Sequence, residues 1–177
     1  MPSQSTLTGA AGEHYVMSQL LKEGLIAALA PVGVPLADIV VTDDIGERVC
    51  SIQVKTRREL GSDGGWHMKR KHEETRMSSL FYVFLSFPKD PMTVPDLFVV
   101  PSGVVADCLH TCHRAWLNTP GRRGQQRNDG DMRRLLPDYS KDGQGEHYGP
   151  GWLEPYRNAW GLLRAASSTE HSTQADT

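Results

Sequence analysis

The sequence predicts a single α/β domain in which helices flank one mixed β-sheet. Three observations predict it: an amphipathic helix opens the chain, a β-hairpin follows, and an almost wholly apolar strand precedes a second long helix. The length of 177 residues is typical of one domain. We expect that domain to span residues 9–164. Disordered segments are expected at 1–8 and 165–177, where small polar side chains offer too little apolar area to offset the entropy lost on ordering.

The overall composition excludes several classes of protein. Hydrophobic residues make up 38% of the chain and charged residues 23%, as in ordinary soluble domains. The longest apolar run, at 25–36, is short and interrupted by proline and glycine, which excludes a membrane-spanning helix. The net charge of −2 excludes a protein held on nucleic acid by bulk positive charge. We expect a cytoplasmic protein, because the three cysteines cannot all pair and the first residues do not resemble a secretion signal.

Local patterns place the elements of the N-terminal half. Apolar residues recur every three or four positions over 9–23, which predicts an amphipathic helix. Residues 25–30 fit either a short strand or a helical remnant. The β-branched run 37–42 and the alternating run 47–55 predict the two strands of a hairpin around a turn at 43–46.

The C-terminal half is predicted to supply the centre of the sheet and a second helix. Residues 79–87 are almost wholly apolar, which is typical of a strand buried on both faces. Residues 57–76 and 120–151 lack periodicity and are rich in glycine and charge, so both are predicted to be loops. The other expected elements are a strand at 96–100, a helix at 102–118 and a last helix at 154–164.

A polar pair lies at the end of the second hairpin strand. Successive strand residues point to opposite faces, so Gln53 and Lys55 share one face while Ile52 and Val54 share the other. Because Ile52 and Val54 are the natural core residues, Gln53 and Lys55 are predicted to point together into a common space. The alternative interpretation is an ordinary solvated strand face.

Asp38, at the start of the preceding strand, is predicted to lie close to this pair. Symmetric pairing about the turn puts Asp38 opposite Ser51 and makes Gln53 its diagonal neighbour, at roughly 7–8 Å between backbones. Both side chains can then reach one ion. The prediction depends on register, because a slip of one residue would move Asp38 to the other face of the sheet.

Glu13 is predicted to lie near Asp38 and the pair Gln53 and Lys55. It precedes Val16 and Met17 by three and four residues, so it projects from the core side of the helix, where an unpaired acid is costly. Carboxylate and amide oxygens beside a lysine suit Mg²⁺, which prefers oxygen ligands. Such an ion polarises a phosphodiester and activates water, while Lys55 orients or deprotonates that water and offsets charge on the phosphate.

The pair Gly12-Glu13, then Asp38, then the Gln-Val-Lys run at 53–55 resembles the PD-(D/E)XK nuclease superfamily, with glutamine in the D/E position. The similarity is to its resolvase-like and uncharacterised endonuclease-like members, and it covers residues 9–87. The resemblance implies a restriction-endonuclease-like αβββαβ core with a central mixed sheet flanked by helices. It also implies a Mg²⁺-dependent endonuclease that acts on DNA.

The resemblance also implies roles for individual residues. Asp38 is the motif aspartate and a metal ligand, Gln53 is the second ligand and Lys55 is the catalytic lysine. Glu13 is the acid of the first helix and acts on the metal through water, and the Val54 carbonyl is a further ligand. Mn²⁺ can substitute for Mg²⁺. The sequence departs from the family pattern in two ways, since no proline directly precedes Asp38 and the neutral Gln53 removes one negative charge, which should weaken metal binding.

A charged segment begins two residues after Lys55, at the mouth of the predicted site. Its basic side chains could hold a phosphate backbone, with Trp66 stacking on a base. The alternative is a solvated, flexible loop. The predicted nucleic-acid contacts are Arg57, Arg58, Lys69, Arg70 and Lys71.

The predicted function has an alternative from a different class. A catalytically weak or inactive nuclease-fold module would bind nucleic acid or a protein partner without cutting. DNA is the expected partner of the enzyme, and cleavage of both strands favours a homodimer, in which symmetry supplies the second site.

Overall fold

The computed structural model describes residues 1–43, 45–46, 48–59, 64–121 and 123–165. Its helices include α1 (Gln4–Lys22), α2 (Arg70–Glu74), α3 (Ser102–Asn118) and α4 (Gly145–Tyr148), with 3-10 turns at Ser140–Asp142 and Glu154–Tyr156. Its strands include β1 (Ile26–Leu29), β2 (Ile39–Thr42), β3 (Arg48–Arg58), β4 (Trp66–Lys69), β5 (Leu80–Phe87), β6 (Asp96–Pro101) and β7 (Met132–Leu135). In the part of the chain that these ranges cover, no helix has both the length and the apolar character needed to cross a membrane.

A five-stranded mixed sheet forms the centre of the fold. Its strand order is β1-β2-β3-β5-β6, and β4 pairs with β7 in a separate two-stranded sheet. The neighbours β3 and β5 are parallel, and the other neighbours in the central sheet are antiparallel. The predicted α/β architecture, a mixed sheet flanked by helices, is confirmed.

The strand β5 is buried on both faces, as its apolar sequence predicts. On one face Val83 belongs to a cluster that includes Val16 and Leu20 of α1. On the other face Tyr82 packs in a cluster with Leu109 of α3. The sheet therefore lies between α1 and α3, with a core on each side.

The first helix begins earlier than predicted. The hydroxyl of Ser3 accepts the Thr6 N–H at 3.1 Å, and this N-cap lets α1 start at Gln4. Residues 4–8, which we expected to be disordered, are therefore helical. Of the tail predicted at 165–177, all but Ala165 lies outside the described residues.

The two segments predicted to be loops, 57–76 and 120–151, contain secondary structure. The strand β3 continues to Arg58, α2 follows β4, and the four-residue strands β4 and β7 pair with each other. Trp66 anchors this small sheet on the core, because its buried indole N–H donates to the Leu85 carbonyl at 2.9 Å. Strands this short, paired with a distant part of the chain, leave no periodic signal in either segment.

The last helix, predicted at 154–164, is not continuous. The 3-10 turn Glu154–Tyr156 is followed by Asn158, whose φ of 49° lies in the left-handed region. The Asn158 N–H donates to the Leu97 carbonyl of β6 at 3.1 Å, which binds the chain to the sheet at this point. Residues 161–165 are helical, so the end of the predicted helix is present. Trp160 still packs in the core, as a residue of the α1 cluster.

Gly12 is a point of close approach between α1 and the sheet. A Cβ at Gly12 would overlap the side chain of Thr56 on β3, whereas a Cβ at Gly9 would meet nothing within 4 Å. We expect Gly12→Ala to lower the free energy of unfolding by about 1–3 kcal/mol, because the added group forces the packed elements to shift. The matched Gly9→Ala should raise it by up to about 1 kcal/mol through helix propensity. Urea denaturation measures both, and similar changes in the two variants would contradict the close contact.

Candidate active site

A bulge in the β2–β3 hairpin sets the register at the candidate site. Thr42 pairs with Arg48, but the next pair joins Val41 to Cys50, so β3 contributes one more residue than β2 at this point. The hairpin therefore departs from the symmetric pairing that the turn alone predicts.

The bulge changes the partner of Asp38. Ile39 pairs with Ile52, which places Asp38 beside Gln53 and not opposite Ser51 as predicted. The register differs from the prediction by two residues, one at the turn and one at the bulge. Because strand faces alternate with a period of two, this shift keeps Asp38 on the side of the sheet that Gln53 occupies.

Two hydrogen bonds fix Asp38 against β3. Its N–H donates to the Ile52 carbonyl at 2.8 Å, and its carboxylate Oδ2 accepts the Val54 N–H at 2.7 Å. The N–H and carbonyl of one strand residue point to the same edge, so the Val54 carbonyl also faces Asp38. The contact occupies one carboxylate oxygen and leaves the other to bind a cation.

Gln53 carries a buried polar atom with no partner. Its Oε1 accepts no hydrogen bond from the described residues. An unsatisfied buried group of this kind costs about 1–3 kcal/mol. Amide oxygen is a ligand that Mg²⁺ accepts, and a cation beside Asp38 would satisfy it. Because Gln53 Oε1 lacks a partner that a cation would supply, the residues at this position suit the predicted metal.

Lys55 lies half-buried between acids and other lysines. Burial lowers the pKa of its amine below the ordinary value of 10.5, the Asp38 carboxylate raises that pKa, and Lys71 lowers it again. Smaller opposing effects come from Glu13 and Lys69, and the net pKa stays lowered. The amine of Lys55 therefore releases a proton more readily than that of an exposed lysine.

Glu13 of α1 is influenced by the charges of the same residues. Burial raises the pKa of its carboxyl above the ordinary value of 4.5, and the nearby Asp38 carboxylate raises it further, while His14 and Lys55 lower it. These interactions place Glu13, Asp38 and Lys55 within electrostatic range of one another. Asp38, Gln53 and Lys55 thus adjoin along β3, and Glu13, whose helix packs on the Ile52 and Val54 face of the sheet, lies within electrostatic range of Asp38 and Lys55.

The described residues contain no group of three or more histidine, cysteine, aspartate or glutamate side chains that could hold a metal. Glu13 and Asp38 are the two carboxylates of the candidate site. A metal bound here would therefore depend on the Gln53 amide and on main-chain oxygen for its remaining protein ligands.

Two of the residues predicted to contact nucleic acid, Arg57 and Arg70, instead bind other residues of the protein. The Arg57 guanidinium lies over the Trp66 ring at 4.4 Å from its centroid, and its Nε donates to the Ser86 hydroxyl at 3.0 Å. Arg70 forms an ion pair with Asp129 at 2.8 Å. Because Trp66 is only 2% exposed, the prediction that it stacks on a base is wrong.

The other three predicted contacts are exposed at or near the candidate site. Lys69 is 4.0 Å from Asp131, and both side chains are two-thirds exposed, so their attraction is weak. Within the described ranges, Lys71 and Arg58 have no ion-pair partner. The charges of Lys69 and Lys71 lower the pKa of Lys55, so both lysines lie within electrostatic range of it.

His72 belongs to this site, although no sequence signal pointed to it. The ring is buried on α2, and its Nδ1 is 2.9 Å from the Tyr82 hydroxyl. Tyr82 lies beside Gln53 in the β3–β5 pairing. Burial lowers the pKa of His72 to about 4, with contributions from Lys55 and Lys71, so the ring is neutral at neutral pH.

A cavity of about 480 Å³ lies between α3 and β7, away from these residues. Cys112, Trp116 and Tyr139 are among the side chains that line it. None of the candidate site residues borders this cavity.

Comparison with known proteins places this geometry in a fold family. No protein-family model matches the chain, and no curated protein matches it. The solved structure of a bacterial homing endonuclease, I-Ssp6803I, matches with a TM-score of 0.54 and 17% identity, over 98% of this chain and 100% of that one. The chain has the restriction-endonuclease-like fold.

A second nuclease of solved structure is also similar to this restriction-endonuclease-like chain. It is Hjc, a Holliday junction resolvase from Archaeoglobus fulgidus, with a TM-score of 0.40 and 15% identity, over 72% of this chain and 83% of that one. The fold assignment depends on the first match. At the level of fold, the predicted resemblance to PD-(D/E)XK nucleases is confirmed.

The lowered pKa of His72 predicts a fold that loses stability in weak acid. An unfolded histidine has a pKa near 6.5, while that of native His72 is about 4, so between these values the unfolded state binds more protons. Stability should therefore fall as the pH drops from about 6.5 to about 4. In His72→Asn, which cannot titrate in this range, this part of the slope should be absent, whereas the exposed His147→Gln should retain it.

Denaturant unfolding at several pH values between about 4 and 7 measures that slope for each variant. A slope in His72→Asn equal to that of the unmodified protein would show that another group is responsible.

Proposed function

We propose that this protein is a metal-dependent endonuclease that hydrolyses DNA phosphodiester bonds with Mg²⁺, or with Mn²⁺ in its place. The observation that carries the proposal is the unpartnered Gln53 Oε1 beside the fixed carboxylate of Asp38. The similarity of the fold to a homing endonuclease supports phosphodiester hydrolysis as the reaction.

Each residue of the site has a role in this proposal. Asp38, Gln53 and the Val54 carbonyl would hold the metal, and Glu13 would act on it through water. Such an ion would supply polarisation of the phosphodiester and a water of lowered pKa. The Lys55 amine orients the attacking water, accepts its proton when neutral, and in its charged form offsets the negative charge that grows on the phosphate.

Positive charge at the edge of the site supports a polyanionic substrate. Lys69 and Lys71 lie within electrostatic range of Lys55, and both are exposed. Phosphate contacts of this kind supply affinity without reading sequence. We propose that these lysines and Arg58 bind the DNA backbone, and that two copies of the chain act as a pair when both strands are cut.

The expected location of the enzyme is the cytoplasm. Cys50, Cys108 and Cys112 are buried and form no disulfide, which fits a reducing compartment.

A catalytically weak DNA-binding module is the second candidate function. The observation that favours it is the amide at position 53, which leaves Glu13 and Asp38 as the two carboxylates of the site. With fewer negative charges the site holds a divalent cation less tightly, while its lysines still bind phosphate. Cleavage assays separate the two functions directly.

Metal binding and cleavage test the proposal through Asp38 and Lys55. Saturating Mg²⁺ or Mn²⁺ should raise the Tm by roughly 5–10 °C, as expected for a ligand at about a hundred times its Kd. Asp38→Asn should abolish that rise, since an amide oxygen can still accept the Val54 N–H but carries no charge. Lys55→Met should retain the metal-induced rise in Tm, and its rate of DNA cleavage should fall by at least about a hundredfold.

Matched exposed positions supply the controls for these variants. Glu146→Gln and Lys141→Met each remove one surface charge and should change neither measurement. A metal-induced Tm rise that persists in Asp38→Asn would contradict the site, and full cleavage by Lys55→Met would contradict the mechanism.

Gln53→Glu should strengthen the metal site. A carboxylate in place of the amide adds one negative charge close to the cation, so the Kd for Mn²⁺ should fall by about tenfold. Calorimetric titration with Mn²⁺ measures this change. The exposed Gln126→Glu, which adds the same charge elsewhere, should leave the Kd unchanged, and an equal effect in both variants would count against Gln53 as a ligand.

A further inference from the structure

The strands β4 and β7 form a two-stranded ribbon with one buried face and one exposed face. Side chains alternate along each strand, and on the inner face Trp66, Met68 and Leu135 pack in a core cluster. The outer face points to solvent. It consists of four side chains in two directly opposed pairs, His67 with Arg134 and Lys69 with Met132.

The ribbon is held firmly on the domain. Trp66 packs on Phe84 with 5.2 Å between the ring centroids, and its indole N–H donates to the Leu85 carbonyl at 2.9 Å. On the other strand, the Tyr139 hydroxyl donates to the Arg134 carbonyl at 2.7 Å. A surface supported in this way loses little conformational entropy when it binds a partner.

The ribbon lies beside the candidate active site. Phe84, on which Trp66 packs, pairs with Lys55 in the β3–β5 register. The strand β4 ends at Lys69, whose charge lowers the pKa of Lys55. A DNA duplex with one phosphate at Lys55 would therefore pass close to the ribbon.

The dimensions of the ribbon match the major groove of duplex DNA. Paired strands lie about 4.8 Å apart, and a groove about 12 Å wide admits a two-stranded ribbon. Outward side chains repeat every second residue, which is about 7 Å along a strand and about two base steps of about 3.4 Å each. The two outward pairs can therefore reach the edges of about three successive base pairs.

The chemistry of the outer face suits base edges better than phosphate alone. Arg134 is exposed, and a guanidinium can donate two hydrogen bonds to O6 and N7 of a guanine. The imidazole of His67, directly opposite, carries a further N–H donor. Met132 is 62% exposed. An apolar side chain gains nothing from a phosphate, whereas in the major groove it can contact the C5-methyl group of thymine.

The charge of this region permits a polyanion without explaining selectivity. The elements β4, α2 and β7 carry five lysines and arginines and two acids, and none of the acids is on the outer face of the ribbon. Two more acids precede β7. Asp129 pairs with Arg70 and Arg133, and Asp131 lies 4.0 Å from Lys69. The net excess is one positive charge, so the donors and the shape of the face carry the inference.

We propose that the outer face of the ribbon enters the major groove of duplex DNA, where Arg134 binds a guanine and Met132 contacts a thymine methyl group. Lys69, at the end of β4, binds a neighbouring phosphate. The enzyme then cuts close to a short preferred sequence. The proposal rests on the DNA endonuclease function proposed above and adds the residues that select the sequence.

Base analogues that alter only the major groove give the direct test. Duplexes with a randomised centre are selected for binding in Ca²⁺, which replaces Mg²⁺ so that DNA is bound without being cut. The selected duplexes are remade with 7-deazaguanine, which lacks the N7 acceptor, or with deoxyuridine, which lacks the methyl group of thymidine. The unmodified protein should bind the first about tenfold and the second about fourfold more weakly than ordinary DNA.

Three variants assign these effects to residues. Arg134→Ala should bind the 7-deazaguanine duplex and the ordinary duplex equally well, and it should keep the loss on deoxyuridine. Met132→Ala should show the opposite pattern. The matched control Arg114→Ala removes the same charge from the exposed surface of α3 and should keep both losses.

The failure of this proposal is distinct from that of the endonuclease. If neither analogue weakens binding by the unmodified protein, or if Arg134→Ala still distinguishes 7-deazaguanine from guanine, groove reading by the ribbon is overturned. Lys55-dependent cleavage of the same duplexes would in that case still support the endonuclease. If the unmodified protein neither binds nor cuts DNA, both proposals are overturned.

Discussion

The hydrogen bond from the Val54 N–H to the Asp38 carboxylate is the contact on which the candidate site depends. It forms just past the last β2–β3 pair, where a side chain takes the place of a neighbouring strand. A charged acceptor makes such a bond shorter and stronger than a neutral one. Asp38 is thereby held by the sheet itself, and its carboxylate is positioned by β3.

The residues around this contact are held in an electrostatically unfavourable arrangement. Burial shifts the pKa values of Glu13 and Lys55 towards their neutral forms, and Gln53 contributes an oxygen without a partner. Folding alone gains nothing from such a cluster, because apolar side chains would fill the same space at no desolvation cost. A cation beside Glu13 and Gln53 and a phosphate beside Lys55 would stabilise the charged forms of Glu13 and Lys55 and would give the Gln53 oxygen a partner. Groups with pKa values shifted in this way are typical of functional sites.

The sequence predicts the faces of the site better than its register. Gln53 and Lys55 share a face because a period of two is a property of any strand. The partner of Asp38 depends on a bulge that arises from how the strands pack. The predicted register is wrong by one residue at the turn and by one more at the bulge. A total shift of two residues leaves Asp38 on the predicted face of the sheet. The β4–β7 pair and His72 were missed because short strands joined across about a third of the chain depend on tertiary contacts that no local pattern records.

The lysines beside the site depend on that same distant pairing. A five-residue helix such as α2 is too short to form alone. It is held because Glu73 bonds to the buried Arg133 of β7, while Asp129 holds Arg70. These ion pairs engage Glu73 and Asp129, while Lys71 forms no ion pair with the described residues and its charge lowers the pKa of Lys55. Burial would raise the pKa of Glu73, yet Arg133 keeps it below 4.5, and the carboxylate stays charged to hold α2 in place. The electrostatic field at Lys55 is thus fixed by a strand far along the chain.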